Sequence, residues 1–222
     1  MSTTEDAPAA VAPAAAADVP AIADPAPLGL AAFALTTFLL SAINAGWAKT
    51  STGGDWWGYA IAYGGLCQLL AGMWEFRNKN VFGATAFSTY GGFWIGVGLW
   101  LHFIAPTASA THLVALNRDL GWILLAFAIF NTYMLIISSQ LNTAVFLVFL
   151  TLELTEIFLF IGNFTTSTPA LPPDPTNSGL IVVGGYIGIV TALVAWYTSA
   201  AGVMNGIKGR QVFPVGKPLF DI

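Results

Sequence analysis

Long uncharged apolar runs separated by short polar stretches set the pattern of this chain. Leu28 to Ala48 contains no Asp, Glu, Lys or Arg, and neither does Trp56 to Trp74. Each matches the ~20 residues an α-helix needs to cross ~30 Å of hydrocarbon. A third span fits Ala84 to Ile104. Leu120 to Leu152 is also uncharged but too short for two full crossings. The polar turn Ser138-Ser139-Gln140-Leu141-Asn142 divides it, so a fourth helix ends near Ser139 and a fifth begins near Thr143. A sixth fits Leu180 to Met204. The pattern predicts an all-α integral membrane protein of six transmembrane helices, each closing its backbone hydrogen bonds internally as lipid requires.

Ahead of these runs, residues 1 to 23 are built of Ala and Pro with Glu5, Asp6 and Asp18. Proline removes backbone donors and alanine is too small to build a core, so a disordered, partly polyproline-II tail is expected. It lacks the basic start and leucine-rich stretch of a secretory signal. Residues 24–208 form the transmembrane domain, and 209–222 a short segment after it.

Composition fits lipid as the main solvent. Of 222 residues, 56% are hydrophobic and only 8% charged, too few to hydrate the surface of a soluble domain. The single Cys67 excludes a disulfide framework, and two histidines are too few for a transition-metal centre, so no metal or other cofactor is expected. Net charge −4 without a basic cluster beyond Lys208 and Arg210 argues against nucleic acid as a partner. Basic residues also set the orientation. Six crossings put both termini, the 75–83 loop and the 140–142 turn on one side, with Arg77, Lys79, Lys208, Arg210 and Lys217. The opposite loops hold only Lys49 and Arg118. Five against two places both termini in the cytoplasm.

Small residues at helical spacing, Gly92 and Gly96 in the third helix and Gly184 and Gly188 in the sixth, predict close helix approach, a compact bundle and a narrow axis. Trp47, Trp56 and Trp57 flank the first outer loop, while Trp94 and Trp196 lie deeper and suit packing.

Interior polar groups carry the functional signal, because each one costs free energy in lipid unless partnered. At 100° per residue, Phe33, Thr36, Thr37, Ser41 and Asn44 share an arc of about 140° on the first helix. One reading has the hydroxyls bonding their own helix carbonyls and Asn44 bridging helices. The other has a water- or solute-lined path, to which Gln68, Thr85, Ser88, Tyr90, Asn131 and Thr132 add neutral groups able to hydrogen-bond a small carboxylate without trapping it. The fifth helix must run from Thr143 to about Gly162, which places Glu153 and Glu156 inside the membrane. No Lys or Arg lies in any span, so neither has an evident cation. They suit a proton relay, or else neutral acids bonded across helices for structure alone. His102 and His112 fit interfacial positions. No catalytic constellation is present, so an enzyme is not expected.

Specific strings add to this picture. Asp24-Pro25-Ala26-Pro27-Leu28-Gly29-Leu30 resembles the Asn-Pro-Ala-Pro-Leu-Gly signature of the acetate uptake transporter family, the succinate–acetate permeases and their fungal relatives. Tyr63-Gly64-Gly65 with Gln68, Ala71-Gly72 and Glu75 agrees, as do Phe82-Gly83, Thr85-Ala86-Phe87, Tyr90-Gly91 and Phe93-Trp94, and finally Pro214-Val215-Gly216. The resemblance implies a subunit with its own pore, assembled as a hexamer in the plasma (inner) membrane and passing acetate and, in some members, succinate. Such members look like anion channels yet are described as proton-linked. It further implies a narrow apolar gate of Phe33, Tyr90 and Leu152. Phe33 falls on the polar stripe read from the residues alone. Two departures stand out: Asp24 replaces the signature Asn, and Glu153 and Glu156 replace apolar or hydroxyl residues. With Leu152 on the pore, Glu156 should share its face and Glu153 should point ~100° away. Transport of acetate and related short-chain carboxylates, through a channel or a proton-linked carrier, is thus the leading function. A channel for ammonia, formate or urea, and a membrane acetate sensor or adaptor, are the alternatives.

Overall fold

A computed structural model describes residues 22–47, 55–107, 113–165 and 179–220. Most of the tail expected at 1–23, together with His112 and Lys49, lies outside the described residues.

Six helical rods account for the described spans. Helix α1 is Ala26–Asn44. Helix α2 covers 57–77 and winds as a π-helix over Ala60–Cys67. Helix α3 is Val81–Leu99, prolonged by a π stretch at Trp100–Ile104 and a 3-10 turn at Ala105–Thr107. Helices α4, α5 and α6 are Leu113–Ser138, Thr143–Thr165 and Gly179–Lys208. In α1, in α4 from Ala115, in α5 and in α6, length and apolarity suffice to cross a membrane. In α2 and α3, glycine, Thr, Tyr and Trp dilute the aliphatic character and the π turns interrupt the regular helix.

Local chemistry sets the helix starts. Asp24 Oδ1 accepts the Ala26 amide at 2.9 Å, and Pro27 sits in the first turn where its missing N–H is not needed. Asn80 caps α3 through the Gly83 amide at 3.1 Å, and Asn142 caps α5 through the Val145 amide at 3.0 Å. The divider read at 138–142 is therefore real, and its asparagine starts the next helix.

The rods form a ring. Backbones approach closely between α1 and α2, α2 and α3, α1 and α6, α6 and α5, and α5 and α4. Between α3 and α4 the seam is aromatic: Tyr90 and Phe93 meet Phe127 at centroid distances of 5.9 and 4.6 Å, and Tyr90 meets Phe130 at 5.5 Å. Side chains of Leu30, Phe33, Phe87, Tyr90, Phe149 and Leu152 fill the axis. The axis is narrow, as the small-residue pattern predicts.

The glycines divide by face. Gly64 receives Thr36, Gly184 receives Leu159 and Gly188 receives Ser41. Gly92 and Gly96 differ from the expectation, with nothing within 4 Å of a Cβ built on either. The reason is rotational: Gly91 and Gly98, seven residues apart, form the face of α3 that meets α2, and Gly92 lies 100° away from it. A Cβ on Gly91 would stand 2.6 Å from Leu69 N and 2.9 Å from Gly65 O, both rigid backbone. Gly91→Ala is therefore expected to cost about 1–3 kcal/mol by forcing α2 and α3 apart. Gly92→Ala should leave the melting temperature of detergent-purified protein unchanged. Equal effects would show that this close approach is not needed. Trp56 stands at the start of α2, beside the first outer loop. It is buried, edge-to-face with Trp94 at 6.0 Å.

After α6 the chain forms a strap beneath the bundle. Val215 O accepts the Ala144 amide at 2.9 Å, Lys217 O accepts the Thr143 hydroxyl at 2.9 Å, and the Leu219 amide donates to Ser139 O at 2.8 Å. Tyr197 holds Pro214 O at 2.6 Å, and Asn205 bonds Val212 and Phe213. Gly216 has φ +76 and faces Thr143 where a side chain would collide, so the strap turns there on a glycine.

Candidate functional site

A cavity of about 30 Å³ lies on the bundle axis, enough for roughly two water molecules. Phe33 and Tyr90 meet edge-to-face at one side of it, with centroids 5.7 Å apart and planes at 63°. Leu152 lies in the same apolar cluster, and all three are at most 6% exposed. The structure thus brings these three residues together on the axis.

Helical rotation determines what else reaches the cavity. On α1, Phe33, Thr37, Leu40 and Ser41 line it. Thr36, 100° from Thr37, instead packs on Gly64, and its Oγ1 lies 3.2 Å from both Ala32 O and Phe33 O. Asn44, at the end of α1, is not part of the lining. Helix α5 contributes Leu152, Thr155, Glu156 and Leu159, at the spacing of one helix face. Thr155 Oγ1 lies 3.2 Å from Thr191 Oγ1 of α6.

Gln68, Thr85 and Ser88 do not reach this cavity. Gln68 is 1% exposed among the helices, and its Oε1 has no partner. Ser88 packs on Gly72, and Thr85 is half-buried on α3. Asn131 sits behind Tyr90, whose hydroxyl donates to Asn131 Oδ1 at 3.0 Å. Glu153 points away from the cavity to α4, where it accepts from Asn131 Nδ2 at 2.7 Å and from the Thr132 hydroxyl at 2.8 Å.

Three buried polar atoms on residues lining the cavity have no hydrogen-bond partner: Thr37 Oγ1, Trp94 Nε1 and Glu156 Oε2. Buried polar groups are paired in nearly all proteins, so three orphans around one small space mark a place for a hydrogen-bonding occupant. One indole N–H donor, one hydroxyl and one carboxyl oxygen match the needs of a carboxyl group or of water. Among the described residues no group of three His, Cys, Asp or Glu could hold a metal ion.

The sequence-based reading missed Leu40, Phe93, Trp94, Leu124, Thr155 and Leu159 as lining residues. Trp94 carried a usable signal, since a tryptophan deep in a span needs a partner for its N–H. Glu75, noted only within a motif, is fully buried at the end of α2. Its Oε2 accepts from Asn78 at 3.1 Å, while its Oε1 has no partner. His102 is exposed and stacks on Trp57 at 4.1 Å.

Residues 8–216 match the model of the GPR1/FUN34/yaaH family. Acetate permease A of Emericella nidulans is 41% identical over 199 residues, which cover 85% of this chain and 64% of that protein. The succinate-acetate/proton symporter SatP of Escherichia coli K12 is 34% identical over 194 residues, covering 86% of this chain and 94% of that protein. The solved structure of the bacterial acetate channel SatP superposes with a TM-score of 0.76 at 31% identity, over 88% of this chain and all of that one. The chain thus spans less than two thirds of the fungal permease's length and nearly all of the bacterial symporter's.

Proposed function

The chain belongs to the GPR1/FUN34/yaaH family, and from that premise we propose that it carries acetate and related short-chain carboxylates, succinate among them, across a membrane together with protons. One observation carries the reading: an apolar ring and three unpartnered buried polar atoms coincide at a single point on the bundle axis. Relatives named for acetate permeation and for succinate-acetate/proton symport support the choice of substrate.

The mechanism follows from those groups. Phe33, Tyr90 and Leu152 form a constriction that penalises a bare carboxylate and lets a neutral acid or partly hydrated small anion pass. Beside it, Trp94 N–H and the Thr37 hydroxyl donate to the carboxyl, and Glu156 exchanges a proton with it. Every lining group except Glu156 is uncharged, so the acid is held by hydrogen bonds it can leave. The ring opens by side-chain rotation, since Phe33, Tyr90 and Leu152 pack against one another at rest. The chain lies in the plasma (inner) membrane with both termini cytoplasmic, a reading supported by five of seven basic residues on that side. It assembles as a hexamer of such pores.

The test is uptake of labelled acetate by purified protein in proteoliposomes, with and without an imposed pH gradient. Uptake should rise several-fold with an alkaline interior, and unlabelled succinate should compete. Absence of uptake would sink the reading. Faster passage of ammonia, formate or urea would replace acetate as the cargo.

A further inference from the structure

Glu153 lies outside the cavity, yet its bonds reach it in two steps. Asn131 is 0% exposed, and its Nδ2 lies 3.0 Å from Phe149 O and 2.7 Å from Glu153 Oε2. A backbone carbonyl and a carboxylate oxygen both accept, so only the nitrogen end of the amide can face them. That chemistry settles which way round Asn131 stands. Its Oδ1 then faces the Tyr90 hydroxyl at 3.0 Å and draws the one proton tyrosine has to give. Tyr90 Oη also lies 3.4 Å from Glu156 Oε1. With its proton committed to Asn131, Tyr90 offers Glu156 only lone pairs. An ionised Glu156 would find no donor there, whereas a protonated one can donate.

We infer that Glu153 is a positioning residue: through Asn131 it aims the Tyr90 hydroxyl away from Glu156, so that Glu156 meets the cavity as a proton-bearing carboxyl. This rests on the reading of Glu156 as the group that exchanges protons with the permeating acid. The Thr132 hydroxyl, its one proton shared between Glu153 Oε1 at 2.8 Å and Ala128 O at 2.9 Å, adds a second contact on the α4 side. Few other titratable groups enter. Tyr90 comes from α3, Glu153 from the same helix, and Tyr133 of α4 stands near Tyr90. Helices α1 and α6 present the neutral Thr37, Ser41 and Thr191.

Removing the acceptor at 153 leaves Phe149 O alone to hold the Asn131 amide, which loosens the grip of Asn131 on the Tyr90 hydroxyl and makes its proton more available to a Glu156 carboxylate. A hydrogen bond to a charged group is strong enough to move a titration by about one pH unit or more. Acetate uptake by the reconstituted full chain, measured from about pH 5 to 8, reads this directly. In Glu153→Leu the alkaline limb of the profile should move to lower pH by about one unit. Glu153→Gln keeps a carbonyl oxygen for Asn131 Nδ2 but loses the charge that acts on Glu156, so it should move the limb less than Glu153→Leu; equal shifts in the two would overturn the positioning role. Should Glu153→Leu fail to assemble, Glu153→Thr, too short to reach Asn131 and able to bond its own helix, should report the same shift. Glu156→Gln separates the two ideas. If it leaves the profile unchanged, the proton-exchange reading and this one fall together. If it flattens the profile while Glu153→Leu and Glu153→Thr leave the limb in place, only the positioning role is overturned.

Discussion

Leu152→Ala is expected to admit acids that the parent excludes, raising uptake of a three- or four-carbon acid relative to acetate by about tenfold or more. Leu152 is 6% exposed and packs with Phe33 and Tyr90 on the axis, so losing its isobutyl group opens the ring without touching the polar atoms beside it. The size of the effect comes from the normal discrimination of apolar pockets, where one methylene changes selectivity by about 10- to 200-fold. Phe33→Ala should act the same way and more strongly, since it also removes the edge-to-face contact with Tyr90. Competition assays with acids of graded size provide the measurement. If both variants keep the parental ranking, the ring is not the constriction.

Glu156→Gln is the second large effect. It conserves shape and hydrogen bonding at the Tyr90 contact but has no proton to exchange. In the parent, uptake should fall by about tenfold for each pH unit above the titration of the group, the behaviour of a single essential acid. In Glu156→Gln that slope should disappear between about pH 5 and 7, leaving only the dependence set by the substrate's own ionisation. A parent and variant with parallel profiles would assign Glu156 to structure alone. A variant that is merely less stable would show lower uptake at every pH with the slope intact.

Much of this arrangement was legible in the residues. The divider at Ser139 to Asn142 could be read because two crossings cannot fit into Leu120 to Leu152, and the structure places a capping asparagine there. The relation of Leu152, Glu156 and Glu153 followed from helical rotation once one of the three was placed. Thr36 and Thr37 could not be separated the same way. A stripe 140° wide touches two neighbours, and Gly64 on another helix decides which threonine it receives. The π turns in α2 and α3 were also hidden, because one extra residue per turn leaves no mark on so uniformly apolar a pattern. Trp94 was assigned to packing because sequence position cannot say whether an indole N–H meets a carbonyl or an empty space.

The strap bears on how the gate can move. Helix α5 carries Leu152 and Glu156, and its first turn is moored to Val215 and Lys217, while the end of α4 is tied to Leu219. Sliding α5 lengthwise would tear two anchors at once. Opening of the proposed constriction is therefore expected to come from swinging rings and rotamer changes on a stationary scaffold rather than from rocking half-bundles.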